Sequence, residues 1–251
     1  MDGELTALHG SVDRLRRIVG GLRPAQLVEP AYPTEWSIAD VLSHIGSGAV
    51  ILRQRLEEIV TGGEADPEFN QSVWDEWNAK EPAAQAADAL VADAALLDRA
   101  DALDEGQRAA FRFAMGPFDL DFDGFIGLRL NEHALHTWDV EVMVDPEAVI
   151  PDEATEVLID NLEMIARFSG RPTGTEHTVH VRTSAPARAF TVAIGADSLE
   201  LASAGPTAPA DLELPSESFV RLVYGRLDAD HAPPVDAPAV LDELRKAFPG
   251  F

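Results

Sequence analysis

The chain has 251 residues, 46% of them hydrophobic, and a formal net charge of −25 at pH 7. This length and composition suffice for the core of one large or two modest domains, and the negative charge repels nucleic acid and anionic membrane surfaces. The sequence contains no cysteine, which excludes disulfides, thiolate metal ligands and a cysteine nucleophile from this chain. Any thiol chemistry therefore needs a small-molecule thiol.

The start of the chain shows neither a membrane span nor an export signal. Residues 4–22 carry apolar side chains at helical spacing, and no stretch of the sequence approaches about 18 uninterrupted apolar residues. The N-terminus, MDGELTALHGSVDRLRR, is acidic and lacks the basic start and short apolar core of a signal peptide. We therefore predict a cytoplasmic protein with no nucleic-acid or membrane partner, present as a monomer or homodimer.

The following segments predict a helical first domain. Ser37 is expected to cap a second long helix, with Asp40 at the capping-box position, and Gly62-Gly63 is expected to end it. The next segments are predicted as a loop leading into a helix (68–80), an alanine-rich helix (83–103), a loop rich in Gly, Pro and Asp (114–125) and a fourth long helix (124–143).

The pattern changes after residue 150. One amphipathic helix is predicted at 152–168, and Ser216 is expected to cap a helix further along. Alternating apolar and polar residues predict four strands, and a terminal helix follows them: 177–183, 188–194, 198–203, 210–215 and 237–248. The chain is therefore predicted to be α+β, with a helical bundle at 1–148 and a smaller α+β domain at 149–251.

The segment NEHALHTWD (131–139) carries the sharpest chemical pattern. Glu132 and His136 are four residues apart, so they share one helix face and can reach one cation. His44, on the second helix, is a candidate third ligand, since two histidines and a carboxylate are typical of catalytic zinc sites. Spacing alone leaves alternatives open. Such pairs are common on helices, and a core histidine is more often hydrogen-bonded than bound to metal.

Two segments resemble a known family. WSIADVLSHIGSGA (36–49) is similar to the W-s-x-x-D-x-x-x-H segment of DinB-like bundles. NEHALHTWDV (131–140) is similar to the E-x-x-x-H-x-x-D segment of the maleylpyruvate isomerase branch, whose members are mycothiol-dependent enzymes. Members of that branch have a metal-binding DinB-like four-helix bundle and a C-terminal sterol-carrier-like domain. The order and size of the two predicted domains agree with that architecture.

The resemblance implies a role for particular residues. His44, Glu132 and His136 match the family's ligands for a divalent metal, usually zinc, which favours the thiolate form of mycothiol for attack on a small electrophile. SFVRLVYGRL (218–227) resembles the family's helix ending in Gly-Arg. Arg226 matches the arginine that binds an anionic substrate group, and Arg221 matches less well.

Several neighbouring residues are candidates for supporting roles. Asp139 and Asp40 are each placed to accept a hydrogen bond from a ligand imidazole, although either can equally be a surface carboxylate or a cap. His133 points about 100° away from Glu132 and is left out of the ligand set. His9 is expected to lie at the surface or to be hydrogen-bonded. The four tryptophans are expected mostly in the core, with Trp77 and Trp138 as candidate pocket walls.

Two functions remain open from the sequence. The first is an enzyme, a metal- and mycothiol-dependent S-transferase or a maleylpyruvate-type isomerase, acting on a small electrophile that carries a carboxylate in some cases. The second is a binding protein for a small molecule or lipid, with a structural metal or none. A coordination position open to a cleft favours the enzyme, whereas a closed four-ligand site favours the binding protein.

Overall fold

A computed structural model describes residues 3–32, 35–116, 118–205 and 209–250. Contacts within the chain divide it into two compact units, Met1–Ala148 and Val149–Phe251. The first unit is mainly helical and the second contains a sheet, so the predicted α+β class is confirmed. None of the helices in the described ranges is both long and apolar enough to span a membrane.

Four long helices dominate the described part of the first unit. Two pairs of these helices pack most extensively: Ile38–Thr61 packs against Pro82–Asp101, and Gly3–Gly21 packs against Phe122–Glu141. In chain order the elements are α1 (Gly3–Gly21), a 3₁₀ helix (Pro24–Val28), α2 (Ile38–Thr61), α3 (Phe69–Asn78), α4 (Pro82–Asp101), α5 (Glu105–Ala110), β1 (Phe113–Met115), β2 (Phe118–Leu120) and α6 (Phe122–Glu141).

The ends of α2 form as the sequence predicts. The Ser37 hydroxyl accepts the backbone N–H of Asp40, and the Asp40 carboxylate accepts the backbone N–H of Ser37 at 2.9 Å. Gly62 ends the helix in the left-handed conformation at φ 72°, where glycine has no steric penalty. This reciprocal cap satisfies two of the backbone donors that an isolated helix N-terminus leaves free.

The prediction of a loop at 114–125 is partly wrong. Phe113–Met115 and Phe118–Leu120 pair as a short antiparallel hairpin, and α6 already begins at Phe122. Residue 117 of that loop lies outside the described residues. A three-residue strand offers too little alternation for the pattern to be recognised, and a hairpin of this size depends on its packing. The six-residue helix α5 was not predicted for the same reason, since it spans less than two turns.

In the second unit, the four predicted strands form one sheet. They are β3 (His177–Ser184), β4 (Arg188–Ile194), β5 (Leu199–Ser203) and β6 (Leu212–Pro215), in the order β5-β4-β3-β6. β3 pairs antiparallel with β4 and parallel with β6. Alternate residues of β3, Val179, Val181 and Thr183, are buried, as a sheet with one covered face requires. The sterol-carrier-like character of this unit stays a prediction.

The helices of the second unit correct two predictions. They are α7 (Asp152–Leu158), a 3₁₀ turn (Ile159–Asn161), α8 (Leu162–Ser169), α9 (Ser216–Val223) and α10 (Pro238–Ala247). The predicted helix 152–168 is thus interrupted at Asp160 and Asn161, which are weak helix formers. Ser216 does not cap α9. It is the first residue of that helix, and its hydroxyl donates to the carbonyl of Pro186 at 2.6 Å.

Gly46 allows a close approach inside the first unit. A β-carbon built on Gly46 would lie 2.2 Å from the Trp77 ring and 2.9 Å from the Cα of Ala89. At this position of α2, only the hydrogen atom of a glycine therefore fits against Trp77 of α3 and Ala89 of α4. This contact matters for the site described below, because His44 lies two residues earlier on the same helix.

We expect Gly46→Ala to destabilise the protein by about 1–3 kcal/mol, because the added methyl group overpacks the contact with Trp77. Gly10→Ala is the matched control, since Gly10 lies inside α1 with nothing within 4 Å of the added carbon. There the same substitution is expected to stabilise the helix by about 0.5–1 kcal/mol. Urea unfolding measures both changes. Equal effects at the two positions would contradict the close approach.

Candidate metal centre

α6 carries two of the three predicted metal ligands through the interior of the helical unit. Asp121 caps the helix by accepting the backbone N–H of Gly124 at 2.9 Å. Nearly every residue from Phe125 to Val140 is buried, and Glu132 is an exception with an exposed side chain. The helix is therefore held on most sides, while its Glu132 side chain reaches water.

His44, Glu132 and His136 lie together. Nε2 of His44 is 3.2 Å from Oε2 of Glu132, and Nε2 of His136 is 3.6 Å from the same oxygen. One nitrogen or oxygen atom from each residue falls within 4.8 Å of the others. α2 supplies the first ligand, and two successive turns of α6 supply the others, as the spacing of four residues requires.

These residues fit a divalent cation. Ligands of tetrahedral zinc, each about 2.1 Å from the ion, are about 3.4 Å apart, close to both of the measured separations. Two imidazoles and one carboxylate are a donor set of catalytic zinc sites, which keep a further position for water or substrate. His44, Glu132 and His136 each offer one such donor atom. The arrangement can therefore hold a cation and leave part of its coordination sphere open.

The charges of the cluster favour an ionised Glu132. Partial burial alone would raise the pKa of this carboxyl group. The close contact with His136, the hydrogen bond from His44 at 3.2 Å and the positive charge of the protonated imidazoles together outweigh burial and lower the pKa of Glu132 well below its usual range. Glu132 is thus a carboxylate at neutral pH, which is the form that binds metal.

Asp139 orients one of the imidazoles. Nδ1 of His136 is 2.8 Å from Oδ2 of Asp139, and Asp139 is fully buried. An imidazole that donates its Nδ1–H to a carboxylate presents the lone pair of Nε2 to a metal. The backbone carbonyl of Asp139 also accepts the N–H of Tyr32 at 3.1 Å, which fixes its position. The predicted supporting role of Asp139 therefore has a geometric basis.

The second predicted carboxylate does not have this role. Among the described residues, the Asp40 carboxylate bonds to Ser37, whose backbone N–H and hydroxyl it accepts at 2.9 and 2.6 Å. The sequence position four residues before His44 suits an imidazole partner and a helix cap equally well. The cap prevails because Ser37 is the residue before the helix, where the first backbone N–H groups need acceptors.

Trp36 was not predicted to line the site. Its ring is stacked on His136 with centroids 6.0 Å apart, and it is tilted against His44 at 5.3 Å. Trp36 is 37% exposed, so it borders the ligands on the solvent side. The signal in the sequence was its position just before the cap of α2, which places the indole at the entry of the helix that carries His44.

Trp77 and Trp138 are core residues, as expected for most of the tryptophans, and not the pocket walls that the sequence left open as an alternative for these two. Trp77 is 3% exposed and packs against Gly46. Trp138 is 1% exposed, and its Nε1 donates to the carbonyl of Ala148 at 2.8 Å. Both indoles lie where their large apolar area is removed from water.

The other histidines of this unit lie outside the ligand group. His133 is fully buried and contacts Asp93, in agreement with its exclusion from the predicted ligand set. His9 is partly exposed and pairs with Asp101, 3.0 Å away, as expected for a surface histidine.

Arg226 belongs to the second unit. It lies just after α9, and its Nη1 donates to the carbonyl of Tyr224 at 3.0 Å. Arg221 is buried, bonds to Glu217 and donates to the carbonyl of His231, so its guanidinium is used inside the unit. Gly225 has φ 71°, and an added β-carbon there would lie 2.4 Å from Gly250, so the turn before Arg226 requires glycine. The role of Arg226 in binding substrate stays a prediction.

We expect Asp139→Asn to weaken zinc binding by about 10- to 100-fold, because the amide no longer holds His136 in the ligating tautomer. Asp40→Asn is the matched control, since both aspartates lie near a ligand histidine in sequence. It is expected to lower stability slightly while leaving zinc affinity unchanged. Competition with a chromophoric chelator measures both affinities. A loss of affinity in the control instead of Asp139→Asn would contradict the assignment.

Comparisons with known proteins agree with this architecture. The sequence profile described as "Mycothiol maleylpyruvate isomerase N-terminal domain" matches residues 8–141, more than half of the chain. A solved mycothiol-dependent maleylpyruvate isomerase is similar over 93% of this chain and 91% of that chain, with a TM-score of 0.65 and 15% identity. Its histidine-to-alanine variant gives the same coverage and TM-score at 14% identity.

At such low identity the structural likeness shows the fold alone. None of the curated proteins matches the chain. The sequence profile carries the assignment, because it covers α2 and α6, which hold the three clustered ligands. The chain belongs to the mycothiol maleylpyruvate isomerase N-terminal domain family.

Proposed function

We propose that this chain is a metal-dependent enzyme that activates a small thiol for attack on a small electrophile. His44, Glu132 and His136 hold the divalent ion, with zinc as the expected metal and mycothiol as the expected thiol. The reaction is either S-conjugation or an isomerisation that begins with addition of the thiol. The observation that carries the proposal is a group of three ligands that is open to solvent.

The openness of the site supports catalysis over a structural metal. The side chains of His44 and Glu132 are 40% and 54% exposed, whereas that of His136 is 11% exposed. A structural zinc site is closed by four protein ligands, and a catalytic site has three with one position free. A small molecule can therefore approach the ligands from the side of His44 and Glu132.

The chemistry divides between the ion and the protein. When bound, a divalent metal lowers the pKa of a thiol and so favours its nucleophilic form near neutral pH. The chain's own residues hold the ligands in place: Asp139 orients His136, and Trp36 packs against the two imidazoles. Glu132 contributes a negative charge that offsets part of the charge of the ion.

The composition of the chain supports an external thiol. With no cysteine, the protein offers no thiol of its own to compete for the open position. The structural neighbours are named as mycothiol-dependent maleylpyruvate isomerases, which makes mycothiol the first thiol to test. Isomerisation of an unsaturated acid and conjugation to other electrophiles both begin with attack by sulfur, so the same site suits either reaction.

We expect the purified protein to bind about one zinc per chain and to accelerate the reaction of mycothiol with maleylpyruvate or another electrophilic acid. His44→Ala is expected to lose bound zinc and to reduce turnover to the uncatalysed rate, because two ligands hold the ion poorly. His9→Ala is the control, since this histidine lies outside the ligand group. Metal analysis and a thiol-consumption assay measure the outcomes.

An active protein without metal, or unchanged turnover in His44→Ala, would overturn the proposal. Zinc binding without turnover for any thiol tested would favour a metal-containing binding protein instead. A thermal-shift screen of thiols in the presence of zinc identifies the cosubstrate, because a ligand that binds only the folded protein raises Tm.

Arg226 is the proposed contact for a carboxylate of the substrate. We expect Arg226→Met to raise KM for an anionic electrophile by roughly 10- to 100-fold, since a charge-assisted hydrogen bond is lost. KM for an uncharged electrophile and the zinc content are expected to be unchanged. Arg182→Met, at a partly exposed position of β3, is the control. Equal changes in KM for charged and uncharged substrates would exclude this role.

A further inference from the structure

Three charged or titratable side chains lie buried beside the ligand group. We call Asp93, Arg129 and His133 the buried triad; they are 1%, 3% and 0% exposed. Nη2 of Arg129 donates to Oδ1 of Asp93 at 2.5 Å, and Nε2 of His133 is 3.1 Å from Oδ2 of Asp93. The proposed metal chemistry uses none of these groups, so their presence needs another explanation.

Arg129 and Asp93 form an internal ion pair, and the His133 imidazole contacts the other oxygen of the same carboxylate. Burial alone would raise the pKa of Asp93, but its contacts with His133 and Arg129 lower it. His133 contacts Asp93 through Nε2, and its Nδ1 lies 2.8 Å from the hydroxyl of Ser11.

Stability alone does not account for the triad. Removing an ion pair from water is costly, and apolar replacements of similar volume are often neutral or stabilising. The triad is also imperfectly satisfied, because the buried Nε of Arg129 has no hydrogen-bond partner among the described residues. What the directional bonds provide, in contrast to apolar packing, is a defined relative position of the helices that they join.

The triad joins the helices that carry the metal ligands. Arg129 and His133 lie on α6, three residues before and one residue after Glu132. Nη2 of Arg129 also donates to the carbonyl of Ile45 at 2.9 Å, and Ile45 follows His44 on α2. One guanidinium therefore links the backbone beside His44 to the helix of Glu132 and His136.

Other elements complete this linkage. Asp93 anchors the guanidinium from α4, and Ser11 anchors His133 from α1. Gly48, one turn after His44 on α2, leaves space for the guanidinium, since a β-carbon there would lie 3.0 Å from Nη1 of Arg129. The sequence of α2 is thus compatible with a guanidinium at this place, and a larger residue would press against it.

We propose that the buried triad is a positioning device that sets the register of α6 against α2, and so holds His44 at ligand distance from Glu132 and His136. The inference rests on the proposed metal site. Residues along a helix are spaced by about 1.5 Å, and a displacement of about 1 Å is enough to loosen a metal site. Asp93, Arg129 and His133 are positioning residues in this role, since they act through the ligands.

The test replaces the triad by apolar residues in the full chain, as Asp93→Leu, Arg129→Met and His133→Leu together. No charge of the triad remains, so the variant is expected to fold with a Tm close to that of the wild type. Cobalt(II) is the probe, because its visible absorption reports coordination geometry. We expect the triple variant to bind cobalt at least about tenfold more weakly and with an altered visible spectrum.

The matched control removes an ion pair that joins α6 to α1. Arg14 and Glu141 join α1 to α6 with Nε and Oε2 2.5 Å apart, and both side chains are mostly buried. Arg14→Met with Glu141→Leu is expected to retain the cobalt affinity and spectrum of the wild type, whatever its effect on Tm. If the triple variant keeps the cobalt affinity and spectrum of the wild type, the positioning role of the triad is overturned, while the proposed metal site is not.

A conservative variant provides a second test in case the triple variant does not fold. Arg129→Lys keeps the positive charge beside Asp93 but lacks the fork that reaches both Asp93 and the carbonyl of Ile45. We expect weakened cobalt binding in the folded Arg129→Lys protein, and unchanged binding overturns the positioning role. A wild-type protein that binds no cobalt or zinc overturns the metal site itself, and this inference with it.

Discussion

The packing of α6 against α2 is the constraint on which the rest of the candidate site depends. His44 and Glu132 are 88 residues apart in sequence, yet their side chains are 3.2 Å apart. Only the relative position of two helices creates that distance, because a single helix supplies just Glu132 and His136. Buried side chains hold α6 along most of its length, and Gly46 lets α2 approach Trp77 closely. The ligands thus lie on a rigid frame, as a metal site with few protein ligands requires.

Polar groups of two kinds surround this frame, and burial distinguishes them. Glu132 is exposed and His44 is partly exposed, so both remain available to a ligand from solvent. Asp139, Asp93 and Arg129 are buried and bonded to other protein groups. A buried polar group is costly unless its partners are in place, so the inner groups have one arrangement, whereas the outer ones can change partner. That contrast suits the proposed function, in which ions and thiols exchange while the positions of the ligands stay the same.

The absence of cysteine and the open ligand group complement each other. A thiolate from the protein would occupy the fourth position of a zinc site and close it. In the proposed function that position accepts a small thiol, and the match to the mycothiol maleylpyruvate isomerase N-terminal domain family supports this proposal. The acidic net charge of −25 opposes the approach of an anionic substrate, so a carboxylate-bearing electrophile requires a local cation. Arg226 is our candidate for it, and Trp36 offers a flat apolar surface beside the histidines.

The sequence by itself determined what depends on neighbouring residues. Helical spacing placed Glu132 and His136 on one face, Ser37 and Asp40 formed the predicted cap, and alternation located the four strands, because each pattern reflects contacts within one element or one face. Tertiary structure decided the contacts between elements: Asp139 and not Asp40 bonds to an imidazole, Trp36 and not Trp77 or Trp138 borders the ligands, and Asp93 pairs with Arg129. Asp93 lies among the buried residues of the alanine-rich helix α4, and the sequence shows that this residue is acidic. The sequence does not show its partner, because pairing across 36 residues is set by how the helices pack.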